Sequence, residues 1–119
     1  LVKVGNQLMI FAIDYHGTFS RDPDYYRAIV PIGKARGHSY VLVTSIDDGD
    51  QFAAEVKRGV GTLMPIVFAA GAWKREAALA AGFKVDVWID DNPEYVAEQD
   101  PRRCVGMRMR SKWRPNGLS

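Results

Sequence analysis

The chain has 119 residues, 47% of them hydrophobic and 25% charged, with a formal net charge of +2. That length supports one hydrophobic core and excludes two ordinary domains, so residues 1–119 are read as one domain. The composition excludes wholesale disorder, a collagen-like repeat and a coiled coil. No apolar run approaches the roughly 20 residues that span a bilayer, and no secretory pattern opens the chain, so no membrane partner and a cytoplasmic location are expected.

Met9 is a candidate natural start, which would make residues 1–8 an added segment. The first strand is expected at Met9 to Ile13, an apolar run that ends on Asp14 and breaks at Gly17 and Thr18. A helix is expected over Pro23 to Ala35, with Asp22 as N-cap and Gly37 closing it. A second strand runs from Tyr40 to Thr44, and a helix from Asp50 to Arg58 stops at Gly59. A third strand covers Leu63 to Phe68, and the helix-forming run Ala72 to Ala81 ends at Gly82. The fourth strand, Val85 to Ile89, leads into Asp90 and Asp91, and a short helix is expected over Pro93 to Glu98.

A fifth strand at Cys104 to Met109 carries the only cysteine, so no intrachain disulfide or thiolate metal cluster can form and Cys104 reads as packing. Arg102, Arg103, Arg108, Arg110, Lys112 and Arg114 crowd the end of the chain, and residues 110–119 form a basic tail. Two readings stand for it, a solvated tail or a surface for a polyanion. Strands alternating with helices, and central strands that are continuously apolar, imply a three-layer α/β domain with a mostly parallel sheet.

Four polar sites fall at the ends of these units: Asp14, then Thr44 with Ser45, then Lys74, then Asp90 with Asp91. In a parallel sheet all of them reach the same edge, where α/β folds bind ligands. Each alone has a structural explanation, as an N-cap, a turn residue or a surface lysine. Trp88 reads as sheet core; Trp73 reads as packing, with the entrance to this edge as its other placement.

In this order Asp14-Tyr15-His16-Gly17-Thr18-Phe19, Val41-Leu42-Val43-Thr44-Ser45, Lys74 and Val87-Trp88-Ile89-Asp90-Asp91 resemble the four signature motifs of the haloacid dehalogenase (HAD) superfamily. The resemblance covers residues 9–97 and implies a Rossmann-like HAD fold with strand order 3-2-1-4-5. It further implies a magnesium-dependent phosphohydrolase in which Asp14 is the nucleophile and forms an aspartyl-phosphate. Mg2+ would bind the Asp14 carboxylate, the backbone carbonyl of His16, and Asp90 or Asp91. Thr44, with Ser45 as the neighbouring alternative, would bond a phosphoryl oxygen. Lys74 would neutralise charge on the nucleophile and the transferring group. Gly17 permits the turn and Thr18 supports it and its amides.

The chain departs from the family pattern at His16, where phosphatases carry a second Asp as acid/base. Imidazole can serve that role, so the implied alternatives are a working phosphatase and a catalytically impaired HAD-fold binding protein. The connections also leave no room for a cap domain, so the implied partner is a phosphorylated substrate that fits an open site, such as a nucleic-acid end or a phosphoprotein. A receiver-like domain is disfavoured because its phosphoacceptor would end the third strand, which here runs into Ala69-Ala70-Gly71.

Overall fold

A computed structural model describes residues 8–98; the expected fifth strand, Cys104 and the basic tail lie outside the described residues. The apolar segments form strands β1 (Ile10–Ile13), β2 (Ser39–Thr44), β3 (Ile66–Phe68) and β4 (Val87–Ile89). All pair in parallel, in the order β3-β2-β1-β4. The described sheet thus has four strands, where five in the order 3-2-1-4-5 were expected. Helices α1 (Pro23–Ala35), α2 (Ala53–Val60) and α3 (Lys74–Ala80) occupy the crossovers.

The period-2 alternation of the strands divides the core between two faces. On one, Ile13 and Leu42 pack with Val30 of α1, Val56 and Val60 of α2, and Phe19. On the other, Ala12, Val41, Val43 and Val67 pack with Ala78 of α3, and Trp88 covers their edge. Helices therefore lie on both faces of the sheet, giving three layers. Each fully buried Leu or Val contributes roughly 1.5–3 kcal/mol through removal from water. Gly33 of α1 permits close contact with the sheet: a Cβ there would overlap the Tyr40 hydroxyl.

Local chemistry shifts several boundaries. Asp22 caps α1 as expected, its side chain accepting from Tyr25 N. β3 begins only at Ile66 because Pro65 has no N–H to donate; its carbonyl still accepts from Leu42 N at 2.9 Å. β4 begins after Asp86, whose carboxylate accepts the Ile10 N–H at 2.8 Å and takes the place of a ladder partner. α2 starts at Ala53, continues through Gly59 and ends at Gly61, whose N–H bonds Lys57 O. α3 starts two residues later than expected because Trp73 is extended. The segment after Asn92 makes a single 3-10 turn over Pro93–Tyr95 instead of a helix to residue 98.

The connection from β1 to α1 holds only a 3-10 turn at Phe19–Arg21, and the one from β2 to β3 only α2. Among the described residues no helix is long and apolar enough to cross a membrane.

Candidate active site

The carboxyl edge of the sheet collects the polar residues. Asp14 follows the fully buried Ile13 and its N–H still bonds Ile89 O at 2.9 Å, so the nucleophile candidate emerges while β1 is paired. The chain then turns back on itself: Phe19 N bonds Asp14 O at 3.0 Å, and Thr18 N and Ser20 N bond Tyr15 O at 3.2 and 2.9 Å. Tyr15 and Phe19 stack with ring centroids 5.7 Å apart, fastening the turn to the core. These bonds bypass the His16 carbonyl. Gly17 takes φ +88°, and any Cβ there would fall on the Asp91 carboxylate.

Lys74, the first residue of α3, is 2% exposed. Its ammonium donates to Asp14 Oδ1 at 2.7 Å and to Asp90 Oδ2 at 2.6 Å. These residues lie 60 and 16 positions from it in sequence, so only the parallel crossovers bring them together. Asp90 Oδ1 accepts from Asn92 N at 2.8 Å, so both of its oxygens are engaged. The Thr18 hydroxyl lies 3.3 Å from Asp14 Oδ2 and 3.3 Å from Asp91 Oδ1, and accepts from Asp91 N. It links the Asp14 oxygen that Lys74 does not contact to Asp91, the carboxylate that Lys74 does not pair.

With every acid ionised, one ammonium faces three carboxylates. Asp14 registers the imbalance: burial, then a shared hydrogen bond with Asp91 and the charge of Asp90, outweigh Lys74 and raise its pKa from 3.8 to about 7. Asp14, Asp90 and Asp91 each present an oxygen within 4.8 Å of the others, an arrangement that could hold a cation. An all-oxygen donor set suits a hard divalent ion.

Asp14, His16, Thr44, Ser45, Lys74, Asp90 and Asp91 line one cleft of about 210 Å³ together with Ile46, Asn92 and Tyr95. Thr44 is 1% exposed, while Ser45 is at the surface. The exposed His16 ring meets Tyr15 and Phe52 edge-on, at 5.0 and 6.0 Å between centroids. Gly17 and Thr18 line a neighbouring cavity with Arg21 and Tyr25, beside the cleft and not within it.

Sequence reasoning missed Asn92, Tyr95 and Phe52; Asn92, two residues after Asp90, was legible as an Asx-type turn partner. Trp73 is 37% exposed and lines a cavity next to the cleft, which corrects its reading as packing. Trp88 packs against the core as expected. Compared with known proteins, the chain matches no family model, no curated protein and no solved structure.

Proposed function

We propose that this chain is a capless HAD-like phosphohydrolase that works through Asp14 and a magnesium ion. The observation that carries the reading is the buried Lys74 ammonium bridging Asp14 and Asp90, with Asp91 alongside, at the carboxyl edge of a parallel sheet. A lysine buried this deeply between two acids is costly as mere structure, since burying charge usually destabilises relative to apolar packing. It is well placed to steady a nucleophile and a phosphate.

The donor set fits a divalent cation: the acids outnumber the ammonium, and Asp14 holds its proton to about pH 7 without one. Asp14 Oδ2, Asp91 and the His16 carbonyl would hold it, with Asp90 committed to Lys74 and Asn92 N. Bound there, Mg2+ supplies charge neutralisation for the transferring phosphoryl group.

Asp14 Oδ1, oriented by Lys74, attacks phosphorus as the ester P–O bond breaks, and His16 gives its proton to the departing oxygen. In the second step His16 takes a proton from water, whose oxygen attacks phosphorus; the Asp14–phosphorus bond breaks and phosphate leaves. Thr44 bonds a phosphoryl oxygen throughout, with Ser45 beside it at the surface. The test is p-nitrophenyl phosphate hydrolysis in magnesium: turnover is expected, and its survival in Asp14→Asn refutes the reading. His16→Asp separates the two implied forms of the protein. Loss of turnover marks His16 as the working acid/base, whereas a large gain marks the chain as an impaired, phosphate-binding member.

A further inference from the structure

We propose that the aromatic cavity beside the cleft is a subsite for the planar base of a nucleoside phosphate, an inference that rests on the phosphohydrolase reading. Trp73 and Tyr95 are 37% and 52% exposed and line a cavity of about 340 Å³ with Ser45, Gly71 and Ala72. Exposed aromatics scattered singly need no explanation, but these two line one concavity. Ser45 and Tyr95 also line the carboxylate cleft, so the two spaces share a wall and one ligand can occupy both.

The cavity is built by backbone ties between separate elements. Arg75 N donates to Val96 O at 2.8 Å, fastening the start of α3, next to Trp73, to the turn that carries Tyr95. Ala70 N and Gly71 N donate to Ile46 O and Ser45 O, each at 3.2 Å, which joins the loop after β3 to the loop after β2. Ala70 is held at φ +51°, a conformation that L-residues adopt at a cost and that surrounding structure must enforce. The backbone that carries the aromatic walls is therefore preformed, which confines the ordering needed on binding to the two side chains.

Among the described residues no charged side chain lines the cavity. It suits a flat, uncharged ring presented face-on, since bases stack on aromatic side chains whatever their sequence. In an aryl ester the ring is attached directly at the ester oxygen and would lie within the carboxylate cleft. The aromatic cavity meets the cleft at Ser45 and Tyr95, and its described lining includes none of Asp14, Lys74, Asp90 and Asp91, which suits a ring set away from phosphorus by a sugar.

The test compares binding of adenosine 5′-monophosphate, ribose 5-phosphate and adenosine to the full chain carrying Asp14→Asn, by calorimetry in magnesium. The nucleotide is expected to bind at least about 10-fold tighter than ribose 5-phosphate. Adding Trp73→Ala or Tyr95→Ala should collapse that ratio toward one, and Trp73→Phe should largely restore it. A ratio near one at the outset, or one that both alanine variants leave intact, overturns the proposal.

Adenosine alone separates this proposal from the phosphohydrolase reading. Its binding, weakened by both alanine variants, supports the base site even if p-nitrophenyl phosphate is not hydrolysed. Hydrolysis of p-nitrophenyl phosphate without any preference for the base removes the subsite and leaves the phosphatase standing. A 5′-phosphorylated trinucleotide then distinguishes the source: tighter binding than the mononucleotide assigns a strand end, and equal binding assigns a free nucleotide.

Discussion

Replacing the candidate nucleophile should make the protein more stable above neutrality, which follows from the charge imbalance at the sheet edge. Burial, Asp91 and Asp90 raise the Asp14 carboxyl from 3.8 to about 7 in the folded protein, against the pull of Lys74. Between those values the folded protein holds a proton that the unfolded chain has released, so folding takes up a proton and stability falls as pH rises. The deficit begins near pH 4 and is complete above pH 7. A shift of that size represents at most about 4 kcal/mol, and water at the open mouth of the cleft screens it to roughly 2 kcal/mol. Asn has the shape of the protonated acid and lacks this dependence. Urea unfolding in EDTA should show Asp14→Asn matching the parent near pH 4 and exceeding it by about 2 kcal/mol at pH 8, or about 8 °C in Tm. Saturating magnesium should reverse the order, because the cation favours ionised Asp14 and so stabilises the parent more. A stability difference that does not change with pH, or a variant less stable at pH 8 in EDTA, refutes the reasoning.

Lys74→Met leaves Asp14 and Asp90 without their shared cation and should cost roughly 3 kcal/mol at pH 8, less at pH 5 where Asp14 is already protonated. Turnover of p-nitrophenyl phosphate should fall at least about 100-fold; equal stability losses at the two pH values count against the pairing. Gly17→Ala forces an L-residue into positive φ and drives a methyl group onto Asp91, so unfolding should show a loss of about 1–2 kcal/mol. Calorimetry should show magnesium affinity falling with it, and an unchanged affinity would separate Gly17 from the metal site. Leu42→Ala, in the fully buried face beneath α1 and α2, should cost about 2–5 kcal/mol by urea denaturation. Its kcat should stay within a few-fold of the parent while the protein is folded.

The fold was largely legible because burial on both faces makes the central strands continuously apolar, and because Asp22, Pro23, Gly37 and Gly82 punctuate α1 and α3, whereas α2 runs through Gly59 to Gly61. Strand limits were less so. Pro65 and Asp86 each remove or replace one ladder bond, an effect of pairing partners that a run of apolar letters does not reveal. At the site, the residues that end structural units were found from position alone: Asp14, Thr44, Lys74 and Asp90 all line the cleft. Those that reach it through loop geometry were not. Tyr95 arrives on a 3-10 turn tied to α3, and Phe52 arrives beside His16 at the entry to α2. Thr18 was legible as a turn residue, yet its hydroxyl joins Asp14 to Asp91, a contact spanning 73 positions that no local pattern encodes.

Fold and site oppose each other at one edge of the sheet. One residue before the carboxylate, Ile13 is fully buried, and its neighbours in the register, Leu42 and Ile89, pack against the same cluster. That apolar layer gives the strands their stability and also removes water from one side of Asp14, which is why burial leads the causes of its raised pKa. Lys74 offsets part of the penalty, but it is divided between Asp14 and Asp90, and Asp91 is met by the Thr18 hydroxyl and by the hydrogen bond it shares with Asp14. A neutral Asp14 would relieve the strain at the expense of nucleophilicity. A divalent cation would relieve it while keeping the carboxylate ionised, so the same electrostatics that burden the three acids favour a cation among them. Under the proposed function metal binding would release the Asp14 proton, and a direct measurement of protons released on magnesium binding near pH 6, approaching one per site, is the expected signature.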